Sequence, residues 1–383
     1  MRRSNIIPWL SCVLALALLL AAQPWPARVA TASVSTDGGV DSPSRFDEPK
    51  SSSQAARFGL ELIGQIGGPV IASAVVGNYA YAINDAGLRV IDVTDPAAPV
   101  EIGFCGYPGA GSARAVAAAG HYVYVVHYSY VDDDESSGLL QVIDVANPAA
   151  PVEIGRYRTA KWIEIWDIAV SGGYTYIADD VGLRVIDVTN PQSPTEAGHL
   201  KLEWTGDDQF SRDVAVAGSY AYVVEAASHW RTGLHGGIWV ISIANPVVPT
   251  QVWFQHWVRT AMTDVSIADS YAYIAHTSGI QVIDVADQAA PVMLGHYGVP
   301  WASAVAVAGR YAYMAGWTGL SVIDVDDPVA PVEVAFYAAT GATHVAVAGS
   351  YIYVAAGDSG LLILRFEELP ATRRIWLPVI ARP

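Results

Sequence analysis

Aspartate is the residue whose spacing in this chain most suggests chemistry, because it returns at one position of a repeated motif. The motif is clearest in "GLRVIDVTDPAAPVEIG" (87–103), and close copies occupy 182–198, 279–295 and 319–335. The acid after each "VI" recurs at Asp92, Asp144, Asp187, Asp284 and Asp324. Each copy ends a strand beside a turn, where a carboxylate accepts hydrogen bonds from backbone N–H groups. We therefore interpret these five acids as structural residues of the repeat.

A second set of polar residues occupies one position of the repeat, seven residues before an aromatic pair. It consists of Asp167, Asp213, Asp264 and His344. Carboxylates and an imidazole at one level of a central channel could hold calcium or another divalent metal, or an amine, and a metal there could assist hydrolysis. The structural alternative is that these side chains form hydrogen bonds to the neighbouring repeat. Both interpretations stay open at this point.

Tryptophan and polar residues are concentrated in the segments where the copies differ most. Flat aromatic rings beside carboxylates suit sugars, and they also suit protein interfaces. We hypothesise that the ligand-binding residues are Trp162, Trp166, Trp204, Asp207, Asp208, Glu225, His229, Trp230, Arg231 and His235. The acidic run at 132–135 could also bind calcium, although its spacing does not match an EF-hand loop.

Motifs of nucleophilic or nucleotide-dependent enzymes are missing from the sequence. There is no G-x-S-x-G, no H-E-x-x-H and no P-loop. We therefore assign no catalytic residue and require no cofactor.

The elements that must position these residues follow from a second marker, a pair of tyrosines separated by one residue. The pair occurs seven times, first at Tyr79 and Tyr81 and last at Tyr351 and Tyr353. Copies about 40–50 residues apart, each with several short apolar runs, are typical of a β-propeller with one four-stranded blade per repeat. The sequence predicts an all-β fold: a seven-bladed propeller of antiparallel blades over residues 58–366.

The ends of the array predict how the ring closes. The seventh copy stops at "GLLILRF" (360–366) without a following "PVEIG" strand, whereas "LELIGQI" (60–66) precedes the first copy and has no blade of its own. We expect residues 60–66 to complete the last blade, because closure removes two exposed sheet edges.

The segments "GLRVIDV" (87–93), "VIDVTDPAAPVEIG" (90–103) and "AVAGSYAYVV" (215–224) resemble the LVIVD repeat family of bacterial and archaeal exported or surface proteins. The resemblance covers about residues 60–366, and it implies a β-propeller and an extracytoplasmic location but no particular reaction. Two copies depart from the pattern, with "GIWVISI" at 237–243 and Arg365 in place of the repeated acid.

Outside the repeats, the N-terminus has the pattern of an export signal. Arg2 and Arg3 precede a short apolar run and small residues, which predicts a signal peptide over 1–32; an uncleaved anchor is the alternative. Residues 33–57 predict a disordered leader rich in Ser, Asp and Pro, and 367–383 a C-terminal tail. Removing 1–32 takes away three arginines and no acid, so the formal charge falls from −16 to −19. That charge disfavours nucleic acid as a partner.

Together these features predict an exported, monomeric binding scaffold with no membrane span after signal cleavage. Its ligand would be a protein or a carbohydrate at the cell surface, contacted by the variable loops of blades 2–6. A metal-dependent hydrolase or lyase at the channel mouth and a structural surface-layer component are the alternatives.

Overall fold

The computed structural model describes residues 58–107, 110–132, 135–202, 208–229, 233–258, 260–299 and 301–368. These residues form strands and turns, and no helix among them is long and apolar enough to cross a membrane. The predicted signal peptide, the leader and residues 369–383 lie outside the described residues.

The strands form seven four-stranded antiparallel sheets, each a blade. The first strand of the chain, β1 (Phe58–Ile66), belongs to the last blade. Blade 1 consists of β2 (Ala72–Val76), β3 (Tyr79–Asn84), β4 (Gly87–Asp92) and β5 (Val100–Gly106). Blade 2 consists of β6 (Ala110–Ala119), β7 (Tyr122–Asp132), β8 (Glu135–Asp144) and β9 (Val152–Arg158), and blade 3 of β10 (Ile165–Ser171), β11 (Tyr174–Asp179), β12 (Gly182–Asp187) and β13 (Thr195–Lys201).

Blades 4 to 6 follow in the same order: β14 (Asp208–Ala217), β15 (Tyr220–His229), β16 (Gly233–Ser242) and β17 (Thr250–Val258); β18 (Met262–Ala268), β19 (Tyr271–His276), β20 (Gly279–Asp284) and β21 (Val292–Tyr297); β22 (Ala302–Ala308), β23 (Tyr311–Gly316), β24 (Gly319–Asp324) and β25 (Val332–Ala338). Blade 7 consists of β26 (His344–Ala348), β27 (Tyr351–Ala355), β28 (Leu361–Glu368) and the N-terminal β1 (Phe58–Ile66).

The ring is closed, as the sequence predicts. β1 pairs antiparallel with β28, with Leu60 opposite Phe366 and Ile66 opposite Leu361. The first strand of every blade contacts the first strands of both neighbouring blades, including β26 with β2. The seven-bladed propeller and its closure by the N-terminal strand are therefore confirmed.

The link between the first two strands of each blade needs one residue in the left-handed region. Glycine holds this position in six blades, for example Gly77 (φ 59°) and Gly309 (φ 58°), and Asp269 (φ 52°) holds it in blade 5. Aspartate is one of the few residues that tolerates this conformation. The single departure from glycine in the sequence therefore preserves the turn.

The last glycine of the repeated motif explains how blades meet. At Gly103, a Cβ atom would lie 2.2 Å from the carbonyl oxygen of Pro148, in the proline turn of the next blade, and Gly155 meets Pro191 in the same way. Gly64 of β1 makes the equivalent contact, because a Cβ atom there would lie 2.1 Å from the carbonyl oxygen of Pro96 in blade 1. The N-terminal strand therefore packs against the next blade as the fourth strands of other blades do.

The hydrophobic core lies between the blades. Seven clusters of buried side chains each combine residues of two adjacent blades, and together they connect every neighbouring pair. Both faces of the central strands are covered, which explains their continuous apolar sequence.

Candidate functional site on the variable face

The two ends of the propeller differ in the length of their connections. We call the end with the links between second and third strands, and between successive blades, the variable face, and the other end the uniform face. Strands β6, β7 and β8 have 10, 11 and 10 residues, and β14, β15 and β16 have 10 each. The corresponding strands of blade 3 have 7, 6 and 6. The hairpins of blades 2 and 4 therefore extend past blade 3 on the variable face.

A β-bulge in the first strand of each of blades 2, 3 and 4 inserts one extra residue. Register shifts occur between Ala113 and Ala115, between Ile165 and Asp167, and between Ser211 and Asp213. The extra residues are Arg114, Trp166 and Arg212. Bulges commonly redirect a side chain.

These three side chains form a stack that joins blades 2, 3 and 4. The guanidinium carbons of Arg114 and Arg212 lie 4.4 and 4.6 Å from the centre of the Trp166 ring. The Trp166 Nε1 donates a hydrogen bond to Asp180 Oδ1 at 2.7 Å, and Arg114 pairs with Glu164 at 2.8 Å. We call these residues the Arg–Trp–Arg clamp. With two guanidinium groups over its ring, Trp166 is engaged within the protein.

Asp180 is the acid of this cluster. Its Oδ2 accepts the backbone N–H of Glu164 at 2.8 Å. Burial raises the pKa of Asp180 to about 6, although the hydrogen bonds from Trp166 and Glu164 oppose that shift. The clamp thus contains a carboxyl group that titrates closer to neutral pH than an exposed aspartate.

The predicted channel acids lie one residue further along each first strand. Asp167 Oδ2 accepts the Val214 N–H at 3.0 Å, Asp213 accepts that of Val265 at 2.7 Å, and Asp264 accepts that of Val305 at 2.5 Å. Each aspartate therefore binds the first strand of the next blade, and the three carboxylates connect blades 3 to 6 in sequence.

The three carboxylates and His344 also influence one another. Burial and the neighbouring Asp167 and Asp264 raise the pKa of Asp213 well above its usual range, and burial raises that of Asp167. Burial lowers the pKa of His344, whereas Asp264 and Asp167 act in the opposite direction. The four groups are therefore close enough to influence one another electrostatically. Within the described ranges, no three His, Cys, Asp or Glu side chains are arranged to hold one metal ion.

Glu225 lies inside the blade 4 hairpin and not on its surface. Its side chain is 2% exposed and stands opposite Gly237, where a Cβ atom would lie 2.9 Å from its Oε1. Burial raises the pKa of Glu225 to about 7. The nearby indole N–H of Trp239 offsets part of that shift but does not reach hydrogen-bonding geometry.

His235 lies beside a histidine that the site hypothesis omitted. Its Nδ1 is 3.1 Å from His256 Nε2, and the two rings stack with centres 5.3 Å apart. Burial and His235 lower the pKa of His256. The two side chains meet because they are diagonal neighbours on β16 and β17.

Of the other predicted ligand residues, the structure describes some and not others. Trp162 is exposed on the variable face, at 58%. Asp208 and His229 occupy the ends of β14 and β15, paired with Ser228 and Gly233. Trp204, Asp207, Trp230, Arg231 and residues 133–134 of the acidic run lie outside the described residues.

The repeated aspartates lie at the uniform face, within the turns that follow the third strands. Each carboxylate accepts the backbone N–H of the residue two positions later, at 2.8 Å for Asp92, Asp144 and Asp284, 2.9 Å for Asp187 and 3.0 Å for Asp324. Each carboxylate is therefore engaged in its own turn.

Sequence reasoning missed the two arginines of the clamp. Arg114 and Arg212 stand one residue before the channel position in blades 2 and 4, the same position that Trp166 occupies in blade 3. An alignment of the copies at that position would have identified them. Their contact with one ring could not have been found that way, since it depends on how three blades pack.

A protein-family model described as the LVIVD repeat matches this chain at residues 67–106, 110–159, 164–201, 210–229, 260–299, 301–339 and 340–364. The fourth match covers only the first two strands of blade 4, which agrees with the departure of residues 237–243 from the repeat pattern. No curated protein matches the chain.

Two solved structures show the same fold at low identity. The computationally designed Ika8 protein is 13% identical, with a TM-score of 0.54 over 80% of this chain and 100% of its own. A chain of the mitotic checkpoint complex is 9% identical, with a TM-score of 0.59 over 88% of this chain and 99% of its own. At these identities the likeness concerns the fold alone.

Proposed function

The chain belongs to the LVIVD repeat family, and we propose that it is an exported binding protein built on a propeller scaffold. Its sequence contains none of the catalytic motifs considered above. Its ligand is a protein or a carbohydrate, and the variable face contacts it. Export rests on the signal-like pattern of residues 1–32.

The observation that carries this proposal is the contrast between the two ends of the ring. On the uniform face, the same turns recur in blade after blade. On the variable face, the hairpins of blades 2 and 4 are extended on either side of blade 3. In repeat proteins, insertions confined to one face mark the surface that binds.

The proposal is tested by shortening both hairpins. Residues 128–138, between the paired His127 and Leu139, and residues 226–236, between the paired Glu225 and Gly237, are each replaced by the Thr277–Ser278 turn that blade 5 uses between the equivalent strands. The parent chain and the shortened chain are compared on a glycan array and a peptide array. We expect the parent to bind one class and the shortened chain to lose at least tenfold in affinity.

The matched control changes the uniform face. Val329 is 64% exposed in the turn of blade 6, and Val329→Ser should bind as the parent does. Equal binding by the shortened chain would exclude the hairpins of blades 2 and 4 as the contact, and loss of binding in the control would argue against the variable face as the site. Export is checked by expressing the full chain in a bacterial host, where the exported product should lack residues 1–32.

A further inference from the structure

Two tryptophans occupy backbone positions that suit glycine. Trp162 has φ 68° and Trp301 has φ 60°, both in links that enter a new blade. The N–H of Trp162 bonds to the Ser136 carbonyl at 2.8 Å, and that of Trp301 to the Thr277 carbonyl at 3.1 Å. In each case the link is tied to the hairpin of the preceding blade.

The same bond occurs in the next blade with glycine in place of tryptophan. Gly341 has φ 77°, and its N–H bonds to the Trp317 carbonyl at 3.0 Å. A bulky side chain in the left-handed region is a strained conformation. The fold therefore accepts glycine at this position, and tryptophan there makes the link less stable.

Burial does not compensate for that strain. Trp162 is 58% exposed and Trp301 is 54% exposed. A third indole, Trp317, is 56% exposed in the two-residue turn between Gly316 and Gly319. A Cβ atom on Gly316 would lie 2.8 Å from the Trp301 carbonyl, so the backbones that carry Trp301 and Trp317 are in contact on the variable face of blade 6.

The chain segments that carry or adjoin the Trp301–Trp317 pair contain no charged residue. Residues 298–303 read "GVPWAS", 316–319 read "GWTG" and 339–343 read "ATGAT". Hydroxyl groups of Thr318 and Ser303 adjoin the two indoles in sequence. The other exposed large apolar residues of blade 6 in the described structure are Val329 and Val332 at the uniform face and Phe336 on the outer strand.

We propose that the Trp301–Trp317 pair is a binding platform for a neutral carbohydrate, an inference that rests on the proposed function and names its ligand class. Apolar faces of sugar rings stack on indoles, and sugar hydroxyls bond to threonine and serine. Two isolated rings are too small for a stable protein interface, which buries several hundred Å² on each partner. The absence of charge in the three segments disfavours an anionic polymer.

The test separates binding from folding through Trp301→Gly. Glycine relieves the left-handed strain, so this variant should melt at the same temperature as the parent or higher. Binding of laminarin, glucomannan and soluble starch is measured by affinity electrophoresis, with alginate as the anionic comparison. We expect the parent to bind at least one neutral polymer, and Trp301→Gly and Trp317→Ala each to lose at least tenfold in affinity.

Val329→Ser on the opposite face serves as the control and should bind as the parent does. Unchanged affinity in Trp301→Gly, preference for alginate, or binding on the peptide array alone would overturn the carbohydrate platform; the last result would leave the proposed function standing. If Trp301→Gly abolishes binding and hairpin shortening does not, the result would support the platform and refute the hairpins as the contact. Failure of the parent on all arrays and polymers would refute both.

Discussion

At the scale of single residues, several polar side chains near the variable face form hydrogen bonds between neighbouring blades. Asp167, Asp213 and Asp264 each accept a backbone N–H of the following blade. Glu225 differs, because its Oε1 has no hydrogen-bond partner among the described residues. A buried carboxylate without such a partner is destabilising in its charged form.

The pKa of Glu225 gives the direction of a pH effect. An acid whose pKa rises from 4.5 to about 7 on folding binds more protons in the native state between those values, so stability falls as pH rises through that window. Glu225→Gln removes the charge. The variant should be more stable than the parent by about 3 kcal/mol at pH 8 and equally stable at pH 4.

Urea unfolding at the two pH values measures this difference. Glu61→Gln is the control, since the Glu61 side chain is 71% exposed, and it should change stability by less than about 0.5 kcal/mol. A Glu225→Gln variant that is less stable than the parent at pH 8 would mean that the carboxylate has a favourable partner.

At the scale of elements, the first strands are connected by their bulges. The bulge residues of β6, β10 and β14 form the Arg–Trp–Arg clamp, and in blade 5 the bulge residue Thr263 bonds to the Ala302 carbonyl of blade 6 at 3.0 Å. In blades 2 to 5, the bulge residue of the first strand thus takes part in a contact with a neighbouring blade.

Replacing Trp166 should loosen blade 3. Trp166→Leu removes two cation–π contacts and one hydrogen bond, for an expected loss of about 2–4 kcal/mol in the free energy of unfolding. Trp162→Leu, four residues earlier, is the control, because that indole is exposed and should contribute little to stability. Equal losses in the two variants, measured by chemical denaturation, would argue against the clamp.

At the scale of the whole molecule, stability depends on closure. β1 supplies the outer strand of blade 7, and its Gly64 packs against the Pro96 turn of blade 1. Without β1, the edge of β28 is left unpaired and open to association with other chains.

Removing residues 1–66 should therefore lower the melting temperature and promote oligomers, whereas removing 1–57 should do neither. A synthetic peptide of residues 58–66 should restore part of the loss by adding the missing strand. Thermal melting and size-exclusion chromatography measure both effects. Identical behaviour of the two truncated chains would show that closure by β1 contributes little.

The sequence by itself determined the number of blades, their strand order and the way the ring closes. These features follow from a local pattern of apolar alternation, turn glycines and prolines, repeated seven times, with a strand missing at one end and present at the other. Asp269 stands out in the sequence as the one exception to glycine in the turn between the first two strands of a blade.

Only the tertiary structure decided what the variable-face residues contact. Arg114, Trp166 and Arg212 are about 50 residues apart in neighbouring pairs and meet at one ring because three blades pack side by side. Trp162 and Trp166 look alike in sequence, yet Trp162 is exposed, whereas the ring of Trp166 carries two arginine side chains. The physical reason is that bulge geometry and inter-blade packing set the direction of each side chain, and neither has a local signature in the sequence.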